Sequence, residues 1–186
     1  MSDIQHTYSE QQREALLNLA RQTIAGRLGL TSKIPKRTDD AALLETRGAF
    51  VTLRKAEMLR GCIGQVEALF PLWDTVAEMA TAAAFRDPRF PPLTAADLQE
   101  VDIEISVLSP LSQVSDVSEI EIGRHGLIIE KGGLSGLLLP QVASSRNWDT
   151  LTFLRETCHK AGLGPEDWKS GAAIWKFEAE VFGESP

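Results

Sequence analysis

The chain has 186 residues, 43% of them hydrophobic and 24% charged, so it can bury a core without covalent staples and is not a disordered segment. Its formal net charge of −7 argues against binding to a phosphate backbone, which rests on a surplus of Lys and Arg. Only two cysteines occur, Cys62 and Cys158, which excludes a disulfide framework.

In chain order, residues 1–8 read as a flexible tail. Ser9 with Gln12 three residues later has the form of a capping box, and Leu16, Ala20, Ile24 and Leu28 make one apolar stripe of the helix it starts. A polar loop follows over residues 31–40. The β-branched and aromatic run 49–55 predicts a strand, and 58–65 its antiparallel partner across a turn at Ala56-Glu57. Pro71 suits a helix start, and Leu72, Val76, Met79, Ala80 and Ala83 mark the inner face of a helix running to Phe85. Asp87-Pro88-Arg89-Phe90-Pro91-Pro92 stops it.

Thr94 is expected to cap a short helix to Gln99. Val101, Ile103, Ile105 and Val107 then alternate with Asp102, Glu104 and Ser106 in a strand with one buried face. Three strand pieces (119–122, 127–130 and 134–139) are separated by glycine-containing turns, the first of which holds His125. Asn147 is expected to cap a helix carrying Leu151, Leu154 and Cys158, stopped by Lys160-Ala161-Gly162. Trp175, Phe177, Ala179 and Val181 alternate with charged residues in a last strand. Most connections are too short for parallel crossovers, so the expected class is α+β, an antiparallel-rich sheet with flanking helices in two closely fused lobes. No signal peptide and no membrane span is legible, and a cytoplasmic protein is expected.

The unusual local text is Leu59-Arg60-Gly61-Cys62-Ile63-Gly64. On a strand, Arg60, Cys62 and Gly64 share one face, and interior glycines often mark a bulge or a close approach by a backbone or ligand. An arginine beside a thiol favours the reactive thiolate. The expectation is an open pocket floor with a cationic rim, formed by Arg60, Gly61, Cys62 and Gly64; the competing reading is a small buried cysteine beside a surface arginine.

That hexapeptide resembles the signature of the AMMECR domain family, of which one microbial form is protein A of the AmmeMemoRadiSam grouping. Further similar stretches run in the same order: Gly48-Ala49-Phe50-Val51-Thr52-Leu53, Asp87-Pro88-Arg89-Phe90, Glu104-Ile105-Ser106-Val107-Leu108, Gly123-Arg124-His125-Gly126-Leu127, Gly136-Leu137-Leu138-Leu139-Pro140-Gln141-Val142 and Cys158-His159-Lys160-Ala161-Gly162-Leu163. The likeness covers residues 16–184; Leu134, where relatives often have a basic residue, departs from it. The resemblance implies a two-lobed α+β fold with the hexapeptide near a cleft between the lobes. It also implies the company of Memo-type proteins and radical S-adenosylmethionine enzymes, but no reaction.

Other candidates are Arg89, an anion-binding fork; Glu104, an acid or base on its strand face; and His125, a proton carrier. The plainer readings are a turn fixed by an Asp87–Arg89 pair, a solvated sheet face and an exposed turn histidine. Cys158 reads as core and His159 as solvated. No metal-ligand spacing, nucleophile elbow or phosphate loop is present, and two cysteines cannot hold a radical-enzyme cluster, so neither metal nor cofactor is expected. Two functions follow. One is an accessory or substrate-presenting domain holding a small anionic ligand or a partner segment at residues 60–64; the other is a Cys62-dependent enzyme or modification site with His125 or Glu104 moving protons.

Overall fold

A computed structural model describes residues 7–33 and 35–184. Chain contacts divide it into two compact units, one reaching Leu108 and resuming at Glu180, the other Ser109–Ala179. The elements are helices α1 (Glu10–Arg27) and α2 (Ala41–Leu44), strands β1 (Ala49–Lys55) and β2 (Met58–Gln65), helices α3 (Leu72–Phe85) and α4 (Ala95–Leu98), and strands β3 (Val101–Leu108) and β4 (Ser112–Gln113). After a 3-10 turn at Val117–Glu119 come β5 (His125–Lys131), β6 (Leu134–Leu138), helices α5 (Pro140–Ser145) and α6 (Thr150–Lys160), a 3-10 turn at Asp167–Lys169, and β7 (Ala173–Gly183). The class is α+β, with antiparallel pairing and flanking helices.

In the first unit β1 lies between β2 and β3, antiparallel to both. Odd-numbered β1 and β3 residues (Val51, Leu53, Ile103, Ile105) are fully buried and pack with Leu16, Ile24, Leu72 and Val76 of α1 and α3. The capping box at Ser9 is present, its hydroxyl accepting from the Gln12 N–H at 3.3 Å while Gln12 Oε1 accepts from the Ser9 N–H at 2.9 Å. The β1–β2 turn carries Ala56 at φ +49° and Glu57 at φ +66°, the hairpin conformation that favours Asn-Gly.

In the second unit β5 pairs with β6 and β7. Leu127, Ile129, Phe153, Leu154 and Cys158 form its core under α5 and α6. Gly136 has no Cβ because the Ala161 backbone occupies that space, so β6 lies directly against the end of α6.

Several expectations are corrected. Residues 1–6 of the expected tail lie outside the described residues, but Tyr8 is in the first core and the Thr7 N–H donates to Glu180 at 2.8 Å, so anchoring begins before the helix cap. Residues 119–122 form no strand. Asp116 accepts from the Ser118 N–H at 2.8 Å, Glu119 Oε1 accepts from the Asp116 N–H at 2.9 Å, and this side-chain capping overrides the β-branched pattern. Asn147, at φ +52°, ends α5 rather than starting α6; Asp149 caps α6, accepting from the Thr152 N–H at 2.7 Å. Leu151 is therefore exposed and Phe153 buried. In β7 the alternation shifts phase, leaving Val181 exposed and Phe182 in the first core.

Candidate functional site

Thr52 faces Cys62 on one side and Glu104 on the other, so Cys62, Thr52 and Glu104 form one row across three strands, on the face turned away from α1 and α3. The Thr52 hydroxyl donates to the Cys62 sulfur at 3.3 Å, and the thiol is half-buried. The next row contains Arg54 and Asp102; the Arg54 guanidinium lies 3.8 Å from Glu104. A register shift between Leu53 and Arg54 puts Arg60 at a bulge.

β2 has a partner on one side only among the described strands of its unit, and its outward backbone groups at Cys62 are met by Asp87 and Arg89. Asp87 accepts from the Cys62 N–H at 2.9 Å, from the Arg89 N–H at 3.1 Å, and from Arg89 Nε and Nη2 at 2.9 and 2.7 Å. Arg89 Nη2 also donates to the Cys62 carbonyl at 3.2 Å. One ion pair thus stands in for a neighbouring strand. The Arg89 guanidinium, ahead of the backbone donors, holds the buried Asp87 carboxyl well below the usual carboxylate range.

The two glycines do not leave the expected opening. A Cβ at Gly61 would collide with the Ala83 carbonyl oxygen, so this glycine exists for the close approach of β2 to α3. A Cβ at Gly64 would collide with the Phe50 ring, which covers it from the facing position on β1. Nor is Arg60 the guanidinium beside the sulfur. Its Nη2 donates to Asp97 at 3.3 Å, and its Nη1 is buried without a hydrogen-bond partner. Asp97 is itself held below the usual carboxylate range, first by the Thr94 backbone N–H, then by the Thr94 hydroxyl, then by Arg60. The arginine at Cys62 is Arg89.

Glu104 shares the Cys62 row but stands two strands away. The paired Cα spacings sum to about 10 Å, so it reaches the thiol only through Thr52. His125 belongs to the second unit and opens β5 instead of sitting in an exposed turn. It is buried because its Nδ1 accepts from the Glu121 N–H at 3.0 Å, folding the turn back over the ring; burial, then Lys176, pushes its pKa below the ordinary value. Cys158 is in the core with its thiol pushed up by burial, and His159 is exposed. Sequence reading did not find Thr52 or Asp97. Register reveals Thr52, and the Thr94–Asp97 capping pattern was the available signal for Asp97.

Among the described residues, no cluster of His, Cys, Asp and Glu fits a metal, and no helix is long and apolar enough to cross a membrane.

Comparison with known proteins adds identity to this geometry. The AMMECR1 family model matches residues 17–182. The chain belongs to that family. Among its relatives is Protein MK0488 of Methanopyrus kandleri, 45% identical over 181 residues that cover 92% of this chain and 87% of that protein. Protein Mbar_A1807 of Methanosarcina barkeri is 41% identical over 180 residues, covering 91% and 89%. The crystal structure of Uncharacterized Protein PH0010 from Pyrococcus horikoshii superposes with a TM-score of 0.83 at 40% identity, covering 92% of this chain and 91% of that one. The Asp87–Arg89 latch and the Cys62 row both lie within the matched AMMECR1 span.

Proposed function

We propose that this AMMECR1 protein is a non-redox accessory domain. On the strand face around Cys62 it holds a small anionic ligand or a segment of a partner protein, and it works beside a Memo-type protein or a radical S-adenosylmethionine enzyme. The observation that carries the reading is the state of Arg89. Its side chain is 54% exposed yet the guanidinium is held by three hydrogen bonds, and its Nη1 donates to no other group among the described residues. A guanidinium held in place loses little entropy when a carboxylate or phosphate docks on its free edge. Arg54, 42% exposed and 3.8 Å from Glu104, is a second guanidinium on the face that carries Cys62.

The Asp87–Arg89 pair is formally neutral, so the reading calls for weak, hydrogen-bond-led binding suited to presentation and release. Native mass spectrometry of the full chain, followed by titration against both partner types, tests it. A retained anion or a measurable affinity that falls about tenfold in Arg89→Ala supports the reading. No retained molecule and no affinity for either partner type would end it.

The Thr52 hydroxyl at the Cys62 sulfur favours a second reading, a reactive or covalently modified thiol. An added mass on Cys62, or alkylation of Cys62 far faster than of the buried Cys158 and slowed in Thr52→Val, would support it. Equal, slow labelling of both cysteines would count against it.

A further inference from the structure

The second unit carries a hollow of about 400 Å³, lined by Leu138 at the end of β6, Val142 of α5, Arg146 and Trp148 just after it, and Glu156, His159 and Lys160 of α6. We propose that it binds a small phosphorylated molecule with a compact apolar body. The assignment uses only residues of the second unit and does not depend on how Cys62 functions.

Charge is the first argument. The chain has 26 carboxylates for 19 Lys and Arg, and most of its described cations face one, as Arg124, Lys131, Arg155, Lys169 and Lys176 do in this same unit. Arg146 and Lys160, which both line the hollow, have side chains with no hydrogen bond or ion pair among the described residues. Lys160 lies in the last turn of α6, where the helix dipole favours a cation. That does not explain Arg146, whose guanidinium lies 5.1 Å over the Trp148 ring. This cation–π contact holds the guanidinium near the ring while leaving its N–H donors unused, so they are available to a planar or tetrahedral oxyanion.

Backbone construction is the second argument. Gly136 allows β6 to press against the Ala161 backbone, which brings Lys160 and His159 to the rim beside Leu138. Asn147 takes a left-handed conformation, φ +52°, between Arg146 and Trp148, turning the chain sharply between the two lining residues. Glu156 also lines the hollow, 3.9 Å from His159, so the lining carries two cations against one carboxylate and is net positive. A bare phosphate would leave most of the volume, and the apolar surfaces of Leu138 and Val142, unused; the hollow suits a small molecule instead.

The test is titration of the isotope-labelled full chain with phenyl phosphate, with inorganic phosphate and benzoate in parallel. The expected result is saturable movement of the Trp148 indole and the His159 and Lys160 amide signals. Phenyl phosphate should bind tightest, and Arg146→Ala and Lys160→Ala should each weaken it about tenfold. Both side chains are exposed, so the variants should keep the wild-type melting temperature. Inorganic phosphate binding as tightly as phenyl phosphate would overturn the apolar half of the assignment. Benzoate binding as tightly would overturn the phosphate half. No saturable shift, or unchanged affinity in both variants, would overturn the site.

Discussion

Removing the Asp87 carboxylate should destabilise the first unit through the edge of β2. In Asp87→Ala the Cys62 N–H loses its 2.9 Å acceptor and Arg89 loses the partner of two side-chain bonds. A buried donor left alone costs about 1–3 kcal/mol, and losing one partner of a buried ion pair costs roughly 3–5 kcal/mol. Because the Arg89 side chain is 54% exposed and can rehydrate, the pair contributes less than a fully buried one, about 2 kcal/mol, and with about 1 kcal/mol for the N–H the total is roughly 3 kcal/mol. For a chain of this size that is a fall in Tm of about 6–12 °C. Urea titration should show a lower midpoint with an unchanged slope. The pH dependence gives a second reading. The folded carboxyl is depressed while the unfolded one returns to about 3.9, so over that interval the unfolded state binds the extra proton. Its contribution to stability is complete above about pH 5, starts to fall below about pH 4 and is lost as pH falls through the depressed folded value, and Asp87→Ala should lack that share of the acid limb. Arg89→Ala should destabilise at neutral pH but lose less further stability on acidification, because its Asp87 protonates more readily. An Asp87→Ala protein within about 0.5 kcal/mol of wild type, with the same acid limb, would refute the latch.

Three further outcomes follow from the geometry. Gly61→Ala should lower Tm and resist rescue, because its obstacle is the Ala83 backbone; Gly64→Ala should be rescued by Phe50→Ala, because its obstacle is a ring. Replacing Ala56-Glu57 by Asn-Gly should stabilise the protein by about 1 kcal/mol in urea titration, since both residues now hold positive φ without a glycine. His125 has a depressed folded pKa, so its contribution is present above the unfolded value of about 6.5 and is lost as pH falls below it; stability measured against pH should lose that slope in His125→Gln.

The parts of the fold that depend on local periodicity were legible. The bounds of β1 and β2, the Ser9 capping box and the inner face of α3 follow from residue pattern alone. The losses came where side chains compete with that pattern. Glu119 to Ile122 look β-forming, yet Asp116 and Glu119 satisfy the backbone first. Asn147 is a common helix start and an equally plausible helix end, and only the carbonyls it follows decide between them. The short helices α2 and α5 carry too few turns to show a period.

The hexapeptide shows why the site was harder to read than the strand beneath it. A glycine in a strand announces that something comes close, but not what. At position 61 it is a helix carbonyl, at 64 an aromatic ring, and at neither a ligand-sized space. Likewise, an arginine two residues from a cysteine predicts their pairing only if the strand is regular; the bulge after Leu53 breaks that condition and sends Arg60 to Asp97. The guanidinium that does meet Cys62 is 27 residues away in sequence, delivered by the turn at Asp87-Pro88-Arg89. Its attachment is to the Cys62 backbone, so a substitution of the cysteine side chain leaves the latch intact. Cys62→Ser should therefore preserve the acid limb and the urea midpoint to within about 0.5 kcal/mol while abolishing thiol labelling at this position. A Cys62→Ser protein destabilised as much as Asp87→Ala would mean that the sulfur, not the backbone it hangs from, holds this edge together.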